Sequence, residues 1–329
     1  MTRGDSGRTG NLMMNTPDRD RLDRPPRLLD GLVAATHTPF APDGSLAVDV
    51  VGRQAEHLLG QGVTTVFIGG STGESQSLSV DERLALAQRW SDVVRGTELR
   101  LIVHVGANCL PDAAALAAQA ERLGAVAISA LAPSYFKPRN TAVLVDSMAQ
   151  IAVAAPATPF YYYDIPQLTG LGFWLPEVLD KAAARIPTFA GIKFSGPDLV
   201  SYQHCLRAGG GRWDIPYGMD ECLLAALALG ARGAVGSSYN FAAPISRRLW
   251  QAFTAGDLDA ARTEQWRSVL VIQLLAGYGY MGAAKAVMEM LGVPVGRPRL
   301  PNASLSDQER SELRSRLETL GFFGWVGGS

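Results

Sequence analysis

The sequence predicts an α/β protein: a (β/α)₈ TIM barrel with a C-terminal helical extension. Between residues 28 and 256, short apolar stretches alternate with amphipathic stretches eight times. The apolar stretches are continuous hydrophobic runs, which is typical of parallel strands covered by helices on both faces. Eight such units in about 230 residues match the size of an α/β barrel.

Each predicted strand is short and precedes a predicted helix. The strands are expected at Gly31–Thr36, Thr65–Gly69, Arg100–Val105, Ala125–Ala130, Pro159–Tyr162, Phe189–Lys193, Ile215–Tyr217 and Gly233–Gly236. The helices are expected at Asp49–Leu59, Val80–Val94, Asp112–Leu123, Thr141–Ala154, Leu175–Ala184, Pro197–Arg207, Glu221–Leu229 and Pro244–Ala255. An open doubly wound sheet is the alternative arrangement. Such a sheet usually has a glycine-rich phosphate loop after its first strand, and His37-Thr38-Pro39-Phe40 is not one.

The two ends of the chain differ from the repeating region. Residues 1–27 are rich in Arg, Asp, Gly and Pro, and we predict that they form a disordered tail. Residues 28–256 form the predicted barrel, and residues 257–329 form the predicted helical extension. Three helices are expected in the extension: Leu258–Leu275, Gly282–Leu291 and Ser306–Leu320.

Composition excludes several classes of protein. The chain has 329 residues, 47% of them hydrophobic, and a formal net charge of −1, which argues against nucleic acid or an anionic membrane surface as a partner. No apolar run is long enough to span a membrane. The three cysteines are far apart, which fits a reducing cytoplasm, and the four histidines show no metal-ligand spacing.

The stretch from Gly191 to Gly196 places one lysine, Lys193, at the end of an apolar run. A lysine is rarely buried without a use, and burial favours its neutral amine over the ammonium. A neutral amine attacks ketones and can form a Schiff base with them. The alternative is a lysine that extends beyond the strand end and pairs with a carboxylate.

Further candidate residues follow other predicted strands. Because the active site of an α/β barrel lies at the C-terminal ends of its strands, we expect them on one rim. The candidates, in chain order, are Ser71 and Thr72 after strand two, Tyr163 after strand five, Lys193 and Ser195 at strand six, Gly218, Asp220 and Glu221 after strand seven, and Ser237 after strand eight.

These residue types suit different tasks. The turn Gly69–Gly73 offers hydroxyl and backbone N–H donors to a carboxylate, although it could also be an ordinary turn. Tyr163 can transfer a proton through its phenol, or it can be a packed aromatic. Asp220 and Glu221 can bind sugar hydroxyls, or act as favourable charges at a helix N-terminus. His104 has no metal-ligand partner near it in the sequence and is predicted to be a core histidine.

Three motifs in this order resemble the pyruvate-dependent class I aldolase superfamily, which includes dihydrodipicolinate synthase and N-acetylneuraminate lyase. They are the Gly69–Glu74 turn, the Tyr163-x-x-Pro166 segment and the Gly191-Ile192-Lys193 strand. The resemblance extends from about Leu28 to Trp325. Within the superfamily, the chain most resembles the N-acetylneuraminate lyase branch. Leu168 stands where dihydrodipicolinate synthases usually carry an arginine.

The resemblance implies a role for each candidate. Lys193 would form the Schiff base with the pyruvate moiety, Tyr163 would move the proton at the C4 hydroxyl, and Ser71 and Thr72 would hold the carboxylate. The residues implied to bind the sugar are Ser195, Gly218, Asp220, Glu221 and Ser237. Tyr135 matches a tyrosine that reaches a neighbouring subunit's site, and the family is homotetrameric.

The function implied is retro-aldol cleavage of N-acetylneuraminate to pyruvate and N-acetylmannosamine, in the cytoplasm and without a metal or organic cofactor. The expected partners are a small sugar acid and further copies of the chain. Another pyruvate-dependent aldolase, acting on a 2-keto-3-deoxy sugar acid, is one alternative. A barrel that binds a keto acid without turnover is another, and a metal-dependent aldolase is disfavoured because the chain shows no ligand set.

Overall fold

The computed structural model describes residues 29–327, and within them seven named strands form one parallel sheet. The predicted tail at residues 1–27 lies outside the described residues. The strand order is β6-β5-β4-β3-β2-β1-β7. The strands are β1 (Gly31–Ala35), β2 (Thr65–Ile68), β3 (Arg100–His104), β4 (Ala127–Leu131), β5 (Phe160–Asp164), β6 (Phe189–Phe194) and β7 (Gly233–Gly236).

The segment 214–217 connects the two edges of this sheet and closes the barrel. Tyr217 forms parallel bridges to Phe194 of β6 and to Ala234 of β7. We predicted a regular strand here, and that prediction is wrong, because only isolated bridges form. In this segment every second residue faces β6. The N–H groups of Asp214 and Gly218 donate hydrogen bonds to β6, but Pro216 between them has no N–H to donate, so the ladder is interrupted.

The helices follow the strands in alternation. They are α1 (Val50–Gly60), α2 (Val80–Val94), α3 (Leu110–Arg122), α4 (Thr141–Ala152), α5 (Pro166–Thr169), α6 (Leu175–Arg185), α7 (Leu199–Arg207), α8 (Leu223–Leu229), α9 (Ala243–Ala255), α10 (Leu258–Gly277), α11 (Tyr280–Met290), α12 (Asp307–Leu320) and α13 (Phe322–Val326). The predicted helix Glu221–Leu229 begins instead as a 3₁₀ turn at Asp220–Cys222, and α7 begins after Pro197 with Asp198 as its N-cap.

Alternating strand residues divide the core into two layers. Val33, Phe67, Ile102 and Tyr163 belong to a cluster inside the barrel. Their strand neighbours belong to a larger cluster that also contains the buried faces of helices α1 to α4 and α6 to α9. This alternation follows from the two-residue period of a strand. It directs Tyr163 towards the barrel axis.

The last four helices form a second apolar cluster. Leu275 of α10, Val287 of α11, Leu313 of α12 and Phe322 of α13 pack there against Ile245 of α9. The predicted barrel with C-terminal helices is therefore confirmed. In residues 29–327 no single helix has the length and apolar character to cross a membrane; the sharply bent pair α10 and α11 reaches that threshold only when taken together.

Candidate active site

Lys193 lies on β6 with only 3% of its surface exposed. Its Nζ atom is 3.8 Å from the centre of the Tyr163 ring and 4.3 Å from the centre of the Phe67 ring. No carboxylate among residues 29–327 forms an ion pair with it. The alternative of a lysine that extends outward to a carboxylate therefore does not describe this side chain.

Tyr163 is the β-sheet partner of Lys193. The parallel register of β5 and β6 sets Tyr163 beside Lys193, and both side chains are buried. The Tyr163 ring packs edge-on against Phe67 and His104, with 5.8 Å between ring centres in each pair. Its hydroxyl lies 3.4 Å from Ser71 Oγ, at the long end of hydrogen-bond range. β5 ends at Asp164, two residues beyond the predicted end at Tyr162, and Tyr163 is its next-to-last residue.

The 69–74 turn follows β2 and is held tightly by its own backbone. The Glu74 N–H donates to Ser71 O at 3.0 Å, and the Thr38 hydroxyl donates to Gly73 O at 2.6 Å. A Cβ on Gly73 would lie 3.0 Å from the Gly69 nitrogen, tighter than an ordinary van der Waals contact, so this close approach favours glycine. Throughout the described part of the chain, the backbone N–H groups of Ser71 and Thr72 donate to no protein acceptor. The turn therefore has free donors for an anion.

His104 supports the turn from β3. The Leu131 N–H donates to its Nε2 at 3.3 Å, so Nδ1 carries the proton and donates to Gly69 O at 2.9 Å. Burial, together with the nearby Arg83 charge, holds the pKa of His104 well below its usual value and keeps the ring neutral. The expectation of a satisfied core histidine is confirmed, and the ring also packs against Tyr163.

Ser195 and Gly218 face each other across the β6 end. A Cβ on Gly218 would lie 2.0 Å from Ser195 Oγ, so any larger residue there would force Ser195 or the backbone to shift. Within residues 29–327 the buried Ser195 Oγ has no hydrogen-bond partner. A buried hydroxyl without a partner costs free energy, and one only two residues after Lys193 is a candidate to bind a ligand.

Asp220 is buried in the loop that follows the 214–217 segment. Its Oδ2 accepts hydrogen bonds from the N–H and hydroxyl of Ser238, at 2.9 and 2.6 Å. Burial raises the pKa of Asp220 to about 6, although the Ser238 hydrogen bonds oppose that shift. Asp220 is one of the residues predicted to bind the sugar. One of its two carboxylate oxygens already joins two rim loops through these hydrogen bonds. The neighbouring Glu221 is partly exposed.

A cavity of about 510 Å³ opens beside the 69–74 turn. Its lining includes Ser71, Thr72, Leu168, Tyr280 and Asn302. Leu168 supplies no charge at this mouth. Within residues 29–327, no group of three or more His, Cys, Asp and Glu side chains is placed to hold a metal ion.

Comparison with known proteins places this arrangement in a family. The profile of the Dihydrodipicolinate synthetase family matches residues 28–320. The chain belongs to this family. It is 39% identical over 300 residues to N-acetylneuraminate lyase of Gallus gallus, covering 90% of this chain and 97% of that protein. It is 38% identical over 308 residues to the Homo sapiens enzyme of the same name, covering 92% and 96%.

Solved structures agree with the sequence comparison. Proteus mirabilis N-acetylneuraminate lyase superposes with a TM-score of 0.87 at 39% identity, covering 89% of this chain and 99% of that chain. N-acetylneuraminate lyase (sialic acid aldolase) of Aliivibrio salmonicida gives the same TM-score and identity, covering 89% and 97%. The resemblance predicted from the motifs is therefore confirmed.

One residue at the rim, Tyr280, is not among the candidates predicted from the sequence. The Tyr280 hydroxyl, at the start of α11, lies 2.7 Å from Ser237 Oγ, which follows β7. The predicted candidates follow the ends of predicted strands, whereas Tyr280 belongs to the helical extension. The predicted helix there began only at Gly282, and no local pattern marks Tyr280 as a rim residue.

Tyr135 lies on the loop after β4 and not among the buried residues of its own site. It is 79% exposed, and its ring packs edge-on against the equally exposed Phe136. Asn108 Oδ1 accepts hydrogen bonds from the N–H groups of Ser134 and Tyr135, which fixes the loop backbone. The two aromatic rings therefore form an exposed apolar pair on a loop whose backbone is held by hydrogen bonds.

Proposed function

We propose that this protein is a Schiff-base retro-aldolase that cleaves N-acetylneuraminate to pyruvate and N-acetylmannosamine. The observation that carries the proposal is Lys193, buried beside Tyr163 and without a carboxylate partner among residues 29–327. Such an amine can attack a ketone without first breaking an ion pair. The lyases named above are the relatives that this proposal draws on.

The first step joins Lys193 to the open-chain substrate. The amine nitrogen bonds to the C2 carbonyl carbon, giving a carbinolamine. Loss of the oxygen as water leaves an imine, which is protonated on nitrogen. The protonated imine attracts the electron pair that cleavage will release, so the barrier is divided between two easier steps.

The second step breaks the bond between C3 and C4. Tyr163 accepts the C4 hydroxyl proton while its own phenolic proton passes to Ser71 Oγ, 3.4 Å away. The Ser71 hydroxyl proton passes in turn to the substrate carboxylate that Ser71 binds, and this relay reverses when C3 is protonated. The C3–C4 electron pair moves to form the enamine, and C4 leaves as the aldehyde of the amino sugar. The same proton then passes to C3, and water hydrolyses the resulting imine to release pyruvate and restore Lys193.

Binding groups surround this reaction centre. We propose that the hydroxyls and free N–H groups of Ser71 and Thr72 hold the substrate carboxylate, which accepts several hydrogen bonds at once. The residues proposed to bind the sugar are Ser195, Gly218, Asp220, Glu221 and Ser237. Asp220 would use Oδ1, since Oδ2 is engaged with Ser238.

We also propose a cytoplasmic homotetramer in which Tyr135 reaches the site of a neighbouring copy. The exposed Tyr135–Phe136 pair supports this assembly, because adjacent exposed aromatic side chains are typical of interfaces. Light scattering at micromolar protein should give a tetramer mass for the wild type. A monomer mass would refute the assembly but leave the chemistry untouched.

Borohydride trapping tests the proposed chemistry. With pyruvate and borohydride, wild-type protein should gain a reduced pyruvate adduct on Lys193, located by peptide mass spectrometry, whereas Lys193→Ala should gain none. Adduct formation that persists in Lys193→Ala would overturn the nucleophile. A panel of sialic acids and six-carbon keto-deoxy acids, read by pyruvate release, tests the substrate. Faster release from six-carbon acids would overturn the lyase specificity but keep the Schiff-base mechanism.

A further inference from the structure

A second buried lysine connects the helical extension to the active-site rim. Lys285 on α11 donates to Glu74 Oε1 at 2.8 Å, and the two side chains are 1% and 0% exposed. Glu74 ends the 69–74 turn, only two residues after Thr72. The ion pair therefore joins α11 to the turn whose donors are proposed to hold the substrate carboxylate.

Both charges are fully engaged. Glu74 Oε2 accepts the Arg299 N–H at 2.9 Å and lies 3.5 Å from Asn302 Nδ2. Lys285 Nζ also donates to Arg297 O at 3.3 Å and lies 4.3 Å from the centre of the Phe40 ring. Such a network fixes the position of its members, because a displaced charge would lose several partners in an interior of low dielectric.

Glu74 is held in an unfavourable backbone conformation. Its φ is +55° and its ψ is +35°, and among residues 29–327 no other non-glycine residue has positive φ. A side chain in this left-handed region costs free energy and persists only where surrounding contacts impose it. The Glu74 carboxylate is held by Lys285, Arg299 and Asn302.

Stability alone does not account for the pair. A buried ion pair costs much desolvation, and an apolar pair of similar volume often stabilises a protein equally well. The location of the ion pair, beside the 69–74 turn, explains its presence better. The pair imposes the left-handed residue that ends the turn, and the Glu74 N–H itself closes the turn on Ser71 O.

We propose that Lys285 and Glu74 are positioning residues that hold the Ser71–Thr72 donors in the geometry that binds the substrate carboxylate. The inference rests on the proposed function, since it assumes that a keto acid reacts with Lys193. It predicts that breaking the pair weakens binding of keto acids selectively. Ketones without a carboxylate do not use the turn and should be unaffected.

The test compares two small ketones in borohydride trapping at Lys193: pyruvate, which has a carboxylate, and hydroxyacetone, which has none. The variants are Lys285→Met and the double variant Lys285→Met/Glu74→Gln, which leaves no unpaired buried charge. Glu289→Gln is the matched control, because Glu289 lies on the same helix in an exposed ion pair with Arg310. Thermal unfolding establishes that each variant is folded.

We expect the pyruvate concentration that gives half-maximal trapping to rise about tenfold to hundredfold in the folded variants. This increase corresponds to the loss of one hydrogen bond to a charged group. Hydroxyacetone trapping should stay at the wild-type level, and Glu289→Gln should match wild type with both ketones. If Lys285→Met does not fold, the double variant decides. Wild-type pyruvate saturation in a folded variant, or equal loss with both ketones, would overturn the positioning role. Wild-type protein that traps neither ketone would instead overturn the proposed function.

Discussion

Tyr163→Phe separates the two steps of the proposed reaction. The substitution removes only the phenolic oxygen, so the ring keeps its edge-on packing against Phe67 and His104 and its place beside Lys193. Within residues 29–327 the hydrogen-bond partner of this oxygen is Ser71, at 3.4 Å, which is long for a hydroxyl pair. The free energy of unfolding should therefore fall by less than about 1 kcal/mol.

The catalytic effect of the same substitution should be much larger. Loss of a general acid–base group costs about 10²–10⁴-fold in kcat, or about 3–5 kcal/mol in the barrier. The assay follows pyruvate release from N-acetylneuraminate, together with borohydride trapping of pyruvate at Lys193. Trapping should be retained, because imine formation does not use the C4 proton. A kcat equal to wild type, or loss of trapping in parallel with turnover, would refute the assigned role.

Two further substitutions test the packing at the rim and the charge near it. Gly218→Ala should destabilise the protein by about 1–3 kcal/mol, because the new Cβ would lie 2.0 Å from Ser195 Oγ. Chemical denaturation should show recovery in Gly218→Ala/Ser195→Gly, and no recovery would contradict the clash. Burial raises the pKa of Asp164 from 3.8 to about 7. The folded state therefore binds this proton more tightly than the unfolded state does. The contribution of the protonated carboxyl to stability is complete below pH 4 and is lost as the pH rises towards 7. Asp164→Asn should therefore gain about 4 kcal/mol over wild type between pH 4 and pH 8, and parallel stability profiles would refute this.

Much of the fold follows from local patterns. Strands covered on both faces are apolar throughout, so β1, β2, β3 and β7 are found within a residue or two of their predicted ends. The 214–217 segment departs from prediction because Pro216 interrupts its ladder with β6. A hydrophobic pattern marks a segment as buried, but it does not show which N–H groups will be paired.

The site divides in the same way. The strand-end rule predicted that Lys193, Tyr163 and Ser71 would come together, because parallel strands carry their C-terminal residues to one rim. Tyr280 and Lys285 were not predicted, since their position depends on how the extension docks. Lys285 and Glu74 are 211 residues apart in the sequence. The hydrophobic periodicity of α11 predicts which of its faces is buried, but it does not predict that Glu74 is the partner of Lys285.

The two buried lysines differ in their partners, and this difference supports the proposed roles of Lys193 as nucleophile and Lys285 as positioning residue. Lys193 and Lys285 are similarly buried, and each lies about 4 Å from the centre of an aromatic ring. Burial and aromatic contact therefore do not separate them. Lys285 has the Glu74 carboxylate at 2.8 Å, which stabilises its ammonium form and occupies its protons. Lys193 has no such ion-pair partner in the described part of the chain, so the proposed Schiff base can form there without first breaking an ion pair.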